Sequence, residues 1–180
     1  MAARVPGIKA PPSGPPLQSA ATLRDMALVH PPLSLPDPEA TAALGRALAS
    51  RLGPGDVVLL DGGLGAGKTH LARALIQALL AAPEEVPSPS FTLVQTYVTP
   101  EFEIWHADLY RLGGATDLVE LGLDAAAGGL CLIEWPDRLA DPPPQALTLR
   151  LSPEGEGRRV EFHATLTAWV DRLAGLADVP

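Results

Sequence analysis

The chain has 180 residues, and its 21 Asp plus Glu outnumber its 13 Lys plus Arg, which gives a formal net charge of −8. This acidic balance argues against tight, direct binding to a nucleic-acid backbone, which requires clustered Lys and Arg. The single cysteine, Cys131, excludes an internal disulfide, and no apolar run reaches the length of about 18 residues that a membrane span needs. We therefore expect a cytoplasmic protein that makes no contact with a membrane.

The N-terminal segment, residues 1–33, contains too much proline to form a packed core. Its prolines are Pro6, Pro11, Pro12, Pro15, Pro16, Pro31 and Pro32. We interpret the segment as a disordered or extended head, or as sequence upstream of a true start at Met26. Order is expected to begin near Leu33, and the folded domain to occupy residues 34–180.

The first helix is predicted to begin after Asp37, a good N-cap residue, with Pro38 at the first helical position. Its buried face is a stripe of leucines four residues apart: Leu44, Leu48 and Leu52. Gly53 then ends an amphipathic helix that lies directly before the next apolar run.

An apolar run, a glycine-rich loop and a helix-like run follow one another at residues 57–80. The loop matches G-x-x-x-x-G-K-[ST], and strand, loop and helix are the context that this phosphate-binding motif needs. Glycines let backbone N–H groups surround phosphate oxygens, Lys68 brings a full positive charge, and the Thr69 hydroxyl can bind Mg²⁺. The residues expected to bind the nucleotide here are Gly62, Gly65, Ala66, Gly67, Lys68, Thr69 and His70.

The remaining segments complete an α/β pattern. Residues 91–98 and 102–109 are predicted strands, and leucines around Leu118 predict a short helix. Residues 130–133 are a fully apolar run, typical of a central buried strand. The final segments predict a hairpin and a closing helix over residues 166–173. The predicted fold class is α/β: a P-loop NTPase-like three-layer sandwich with a central, mostly parallel sheet and a C-terminal antiparallel hairpin.

Two acidic residues are candidates for chemistry. Glu134 directly follows the apolar run, where a carboxylate can reach Mg²⁺ beside a phosphate loop; the alternative is an ordinary acid at a solvent-exposed strand end. Asp108 can orient water or the metal's ligands, or belong to an ordinary strand end. Residues 88–94 offer hydroxyls after the phosphate-loop helix, and they form either a switch that senses the γ-phosphate or a simple turn.

The predicted nucleotide is ATP. The chain contains no asparagine, so the N-K-x-D segment that reads guanine in small GTPases cannot be present. We expect Lys68, Asp108 and Glu134 to act in catalysis, and Thr69 and Glu134 to bind Mg²⁺. We also expect Arg159, in the hairpin, to contribute to nucleotide binding.

Four segments, in this order, resemble the TsaE family, the small ATPase of bacterial tRNA threonylcarbamoyladenosine synthesis. They are L-G-A-G-K-T at 64–69, S-P-S-F-T-L-V at 88–94, H-A-D-L-Y-R-L at 106–112 and I-E-W-P at 133–136. The resemblance implies an ATP hydrolase that is slow alone, acts with TsaB and TsaD, and meets tRNA only indirectly. It also implies Mg²⁺ roles for Thr69 and Glu134, functional sensitivity at Asp108 and Tyr110, and a place for Thr41 near the nucleotide base.

Two other functions also fit a phosphate loop. A small-molecule kinase usually carries an arginine-bearing lid, whereas the only adjacent arginines here are Arg158 and Arg159 in the hairpin. A non-catalytic ATP-sensing module would lack Asp108 or Glu134, and both are present. The net charge of −8 fits a protein that reaches tRNA mainly through partners.

Overall fold

In residues 26–113, 121–122 and 128–176, which the computed structural model describes, seven segments pair into one mixed sheet flanked by three α-helices. The elements are β1 (Ala27–Leu35), α1 (Pro38–Ala49), β2 (Val57–Asp61), α2 (Lys68–Leu79), β3 (Val94–Val98), β4 (Glu103–Asp108), β5 (Leu130–Glu134), β6 (Leu147–Glu154), β7 (Gly157–Ala164) and α3 (Ala168–Arg172). Among these residues no helix combines the length and apolarity that crossing a membrane would require. The short helix predicted around Leu118 lies outside the described residues.

The strand order is β1-β7-β6-β2-β5-β4-β3, and the four central strands from β6 to β4 are parallel neighbours. Strand β2 reads VVLLD and β5 reads LCLIE, and nearly all of these side chains are buried, as expected for strands covered on both faces. In the register, Leu60 of β2 and Asp108 of β4 lie on either side of Glu134, the last residue of β5. The phosphate loop and both predicted carboxylates therefore emerge from the same edge of the sheet.

Helices α1 and α2 cover one face of the sheet. Asp37 caps α1 by accepting a hydrogen bond from the backbone N–H of Ala40 at 2.8 Å, as its place before Pro38 predicts. The two helices cross closely at Gly45, where a Cβ atom would lie 2.8 Å from the carbonyl oxygen of Leu71. The leucine stripe predicted for the first helix is buried at this interface and its edge: Leu44, Leu48 and Leu52. This contact fixes the position of α2, and with it the end of the phosphate loop.

The opposite face of the sheet buries a smaller cluster, which includes Val57, Leu59, Leu109, Cys131, Ile133 and Leu139. In the described part of the chain, the segment after β4 and a 3-10 turn at Pro136–Arg138 lie over this cluster. Burial raises the pKa of the Cys131 thiol to about 11, so the thiol stays protonated and acts as a small hydrophobic side chain. A sheet with parallel centre and covered faces confirms the predicted α/β P-loop class.

The N-terminal strand corrects the predicted boundary of the proline-rich head. Order was expected from near Leu33, but β1 begins at Ala27 and pairs antiparallel with β7. The ladder is irregular between His30 and Leu33, because the two prolines there have no backbone N–H to donate to β7. An edge strand tolerates this, because one of its sides has no neighbour and a bulge absorbs the missing N–H groups. Proline content alone therefore placed the boundary too late.

Strand β3 also differs from its predicted range. It begins at Val94 rather than at Phe91, because the preceding residues form a turn in which the N–H of Leu93 donates to the carbonyl of Pro89 at 2.7 Å. The hairpin of β6 and β7 and the closing helix α3 agree with the sequence prediction.

We predict that deleting residues 1–32 destabilises the domain, because the deletion removes Val29 from the core and His30 from the ladder with β7. Val29 is 7% exposed, and the ring centroids of His30 and Phe162 lie 5.0 Å apart. The free energy of unfolding should fall by about 2 kcal/mol or more, which lowers the melting temperature by at least about 4 °C. Thermal denaturation should be compared with a chain that begins at Met26 and keeps the whole strand. Equal melting temperatures would show that β1 contributes nothing to stability.

Candidate functional site

The phosphate loop, residues 62–69, connects the end of β2 to the start of α2. Gly62 has a φ of 142°, and a Cβ atom there would lie 2.4 Å from the carbonyl oxygen of Leu151, so only glycine fits. Gly67 has a φ of 101° and is the N-cap of α2. The first N–H groups of the helix and the positive end of its dipole therefore face the loop, which is the arrangement that binds anions.

Lys68 is the cation of the site and is 4% exposed. Its Nζ donates to the carbonyl oxygens of Gly62 and Gly63 at 2.7 and 2.9 Å, and it lies 3.8 Å from the ring centroid of Trp135. Burial lowers the pKa of Lys68, while the negative charge of nearby carboxylates, Glu134 foremost, acts in the opposite direction. The ammonium is held by neutral carbonyls and a π face, so phosphate oxygens can replace these partners without first breaking an ion pair.

Glu134 is held at the end of β5 by two hydrogen bonds. Thr69 Oγ1 donates to Glu134 Oε2 at 2.8 Å, and His106 Nε2 lies 2.9 Å from Glu134 Oε1. Glu134 is 1% exposed and His106 is fully buried. Glu134 is therefore not an acid at a solvent-exposed strand end, and its role as a metal ligand stays a prediction.

Thr69 and Glu134 suit the predicted Mg²⁺. Both provide oxygen atoms, and the pair lies at the end of the phosphate loop. Mg²⁺ usually takes one or two protein oxygens together with substrate phosphates and water. Within the described ranges of the chain, no three His, Cys, Asp or Glu side chains cluster into a metal site of their own. The residues present therefore fit an ion that depends on a bound nucleotide for its other ligands.

Asp108 lies buried at the end of β4 and connects the sheet edge to residues 88–94 before β3, called the hydroxyl segment below. Its Oδ2 accepts hydrogen bonds from the hydroxyls of Ser90 at 2.5 Å and Ser88 at 3.4 Å. Its Oδ1 accepts from the N–H of Tyr110 at 3.0 Å, and its own N–H donates to the carbonyl of Leu93. Asp108 therefore holds the hydroxyl segment against the end of β4.

Two non-glycine residues with left-handed backbone flank the site: Leu93 with a φ of 65° and Trp135 with a φ of 61°. Such conformations cost on the order of 1–3 kcal/mol each and are typical of functional sites. At Trp135 the strained backbone turns the indole back over Lys68, and the ring centroid lies 4.9 Å from that of Tyr110. The aromatic pair forms one wall of the site.

These side chains line a cleft of about 330 Å³ at the phosphate loop. The side chains with polar groups that line it are Lys68, Thr69, His70, Ser88, Ser90, Asp108, Tyr110 and Glu134, beside the indole of Trp135. A second cleft of about 270 Å³ shares Gly67 and His70 with the first and also includes Thr41 and Arg158. The structure thus brings the predicted residues Thr41 and His70 next to the loop, and the two clefts together run from Glu134 to the hairpin turn.

Arg159 is the predicted site residue that the structure does not bring to the loop. It pairs with Glu154 at 3.4 Å and with Glu161 at 3.6 Å on the hairpin. Its neighbour Arg158 reaches the loop instead, where its guanidinium donates to the carbonyl of Gly65 at 3.0 Å. Adjacent residues of a strand point to opposite faces, so only one arginine of the pair can face the loop. The sequence pattern does not tell which one.

Sequence reasoning assigned no role to His106 or Trp135, and both contact predicted site residues. The sequence did place His106 on the same strand face as the predicted site residue Asp108, because residues two apart on a strand share a face. Trp135 gave no such signal, because a left-handed backbone at a tryptophan cannot be read from composition or periodicity.

The loop between β2 and α2, with a carboxylate at the end of the neighbouring parallel strand, defines the P-loop class of nucleotide-binding α/β proteins. The family model described as "Threonylcarbamoyl adenosine biosynthesis protein TsaE" matches residues 35–160. The chain belongs to the TsaE family. The matched range contains every predicted site residue, from Thr41 to Arg159.

Individual relatives agree with this assignment. The chain is 46% identical over 98 residues to a Rickettsia bellii protein named "tRNA threonylcarbamoyladenosine biosynthesis protein TsaE", with 54% of this chain and 68% of that protein covered. A Rickettsia felis protein of the same name is 46% identical over 104 residues, which cover 57% of this chain and 61% of that protein. The crystal structure of Bacillus subtilis YdiB superposes with a TM-score of 0.65 at 27% identity, covering 82% of this chain and 93% of that one.

We predict that Arg158→Ala weakens nucleotide binding, whereas Arg159→Ala does not. Arg158 holds the Gly65 carbonyl and lines the second cleft, while the ion pairs of Arg159 in the described part of the chain are with acids of the hairpin. A hydrogen bond from the Arg158 guanidinium to the nucleotide in this cleft is worth about 1.5 kcal/mol or more, so its loss should lower ATP affinity roughly tenfold. Calorimetric titration of both variants with ATP measures the difference. A larger loss in Arg159→Ala would favour the residue predicted from the sequence.

Proposed function

We propose that this protein is a Mg²⁺-dependent ATPase that binds a TsaB–TsaD complex and supports threonylcarbamoyladenosine modification of tRNA. The observation that carries the proposal is the convergence of Lys68, Thr69 and Glu134 at one phosphate loop, where their hydrogen bonds are 2.7–2.9 Å long. The names of the relatives, each a tRNA threonylcarbamoyladenosine biosynthesis protein, support the pathway.

Each residue of the loop has a role in binding ATP. The backbone N–H groups that follow Gly62, and those at the start of α2, donate hydrogen bonds to phosphate oxygens. Lys68 exchanges its two carbonyl partners for phosphate oxygens. Thr69 and Glu134 would hold the metal ion, which would supply positive charge to the phosphates. Thr41 and Arg158 border the part of the site that lies beyond the loop.

Asp108 is the proposed water-orienting carboxylate. It lines the same cleft as Glu134 and Lys68, so a water between its Oδ2 and the terminal phosphate can be aligned for attack. The same Oδ2 accepts the hydrogen bond from Ser90, so the oxygen that would orient the water is also bonded to the hydroxyl segment. Hydrolysis and the position of the hydroxyl segment are thereby linked.

The hydrogen bond between Asp108 and Ser90 suits a nucleotide-dependent switch that acts by changing a contact with another protein. Phe91 follows Ser90 directly, is 84% exposed, and lies under the guanidinium of Arg111 at 4.4 Å. A shift of Ser90 with nucleotide state would move this aromatic surface. The net charge of −8 disfavours direct capture of tRNA, so the contact is better assigned to partner proteins.

We predict that Lys68→Ala and Glu134→Gln separate binding from hydrolysis. Lys68→Ala should weaken ATP binding by at least tenfold, since a charge-assisted contact worth about 1.5–3 kcal/mol is lost. Glu134→Gln keeps its shape and should bind ATP nearly as well in EDTA, but should lose about 100-fold or more of the Mg²⁺-dependent rate, because the metal loses an anionic ligand. Calorimetry and phosphate-release assays measure the two effects. Wild-type ATP affinity in Lys68→Ala would contradict the phosphate-loop role.

The partner-dependent function is tested with the cognate TsaB–TsaD pair. We expect affinity for the pair to differ between an ATP analogue, ADP and no nucleotide, and the slow ATPase rate of the isolated protein to change on binding. Pull-down and biolayer interferometry in the three nucleotide states measure the affinity, and a phosphate-release assay measures the ATPase rate. Identical affinity in all three states would end the switch proposal, and a screen for kinase activity on small hydroxyl compounds would follow.

A further inference from the structure

His106 is fully buried and is a costly residue for its position. Its Nδ1 atom is buried and has no hydrogen-bond partner among the described residues. A buried polar atom without a partner destabilises a fold, and an apolar side chain of similar size would avoid the penalty. The neighbours of His106 on β4 and β5 in the same core, such as Ile104 and Leu132, are apolar. Packing alone therefore does not account for histidine here.

The polar contact that His106 makes is with Glu134. Nε2 lies 2.9 Å from Oε1, and because a carboxylate oxygen only accepts, Nε2 carries the hydrogen. The other oxygen, Oε2, accepts from Thr69 at the phosphate loop. Thr69 lines the cleft, whereas His106 is not among the residues that line it. One oxygen of Glu134 is thus anchored inside the protein, and the other lies beside Thr69 at the phosphate-loop cleft.

A second carboxylate near Glu134 gives the hydrogen bond from His106 a purpose. Asp108 is directly opposite Glu134 in the parallel register of β4 and β5, and both side chains are buried. Like charges at opposed positions repel each other. The N–H of His106, two residues before Asp108 on the same strand face, gives Glu134 a preferred direction.

We propose that His106 is the positioning residue for Glu134 and sets the affinity of the Mg²⁺ site. The inference rests on the proposed Mg²⁺-dependent ATP binding. Hydrogen bonds from a neighbouring side chain commonly fix a metal-binding carboxylate, and their loss weakens metal affinity about 10- to 100-fold. The hydrogen bond to Oε1 leaves Oε2 oriented toward the loop, together with the Thr69 hydroxyl.

The test compares three substitutions of His106 with a control at His163. His106→Leu removes the donor, His106→Gln keeps an N–H donor at the reach of Nε2, and His106→Asn keeps an amide that is too short. The control His163→Leu breaks a similar His–Glu pair, with Glu161 at 3.2 Å on the hairpin. The readouts are the Mg²⁺ concentration that gives half of the maximal ATPase rate, the gain in ATP affinity on adding Mg²⁺, and the melting temperature.

We expect His106→Leu and His106→Asn to need at least about tenfold more Mg²⁺, with ATP affinity in EDTA unchanged. His106→Gln and His163→Leu should stay near the wild-type requirement. His106→Leu should melt at a lower temperature than the wild type, because Glu134 Oε1 loses its donor inside the protein, whereas His106→Gln keeps that donor and should melt near the wild type. A structural role alone would lower stability and leave the metal requirement unchanged.

A wild-type Mg²⁺ requirement in His106→Asn overturns the proposal, and so does an equal defect in the Gln and Asn variants. If His106→Leu does not fold, the contrast between Gln and Asn still decides. The proposed ATPase function fails by itself if the wild-type protein binds Mg²⁺ and ATP together but hydrolyses no ATP. In that case the calorimetric comparison of the variants still measures the effect of His106 on Mg²⁺ binding. A wild-type chain whose ATP affinity does not respond to Mg²⁺ overturns both.

Discussion

Parallel pairing of β2, β5 and β4 is the constraint on which the site depends. Leu60 and Asp108 lie level with Glu134 in the register, so the phosphate loop and two carboxylates emerge at one edge. A slip of one residue would turn Glu134 to the opposite face, because side chains alternate along a strand. The apolar residues that precede Glu134 resist that slip, since it would exchange which of them pack under α1 and α2. The hydrophobic core therefore sets the geometry of the polar site.

The polar groups of the site are held in place by one another and are little exposed to solvent. Lys68, His106, Asp108 and Glu134 are each less than 5% exposed. Buried charges destabilise a fold unless hydrogen bonds and opposite charges compensate them. Here backbone carbonyls, hydroxyls and an imidazole supply most of those bonds. The arrangement gives up some stability, at Nδ1 of His106 and at two left-handed residues, for a site whose polar groups have fixed positions.

The same hydrogen bonds connect the site to the surface. Asp108 is bonded to Ser90, and the next residue, Phe91, is exposed at the rim of the molecule. Leu93 closes the turn with a strained backbone and accepts from the N–H of Asp108. A change at Asp108 therefore has a short covalent and hydrogen-bonded route to an aromatic side chain that a partner can touch. This route gives the proposed switch a physical basis within one segment of the chain.

The sequence by itself determined the local features: the helix cap at Asp37, the phosphate loop with Lys68 and Thr69, the buried strand that ends in Glu134, and the family. These features depend on short spacings and on residue chemistry, which neighbours in the chain decide. Only the tertiary structure decided that residues 27–33 pair with β7, that Arg158 rather than Arg159 faces the loop, and that His106 holds Glu134. Each of these depends on strand order and register between segments far apart in the chain. Long-range pairing is set by how the whole core packs, and no local pattern contains that information.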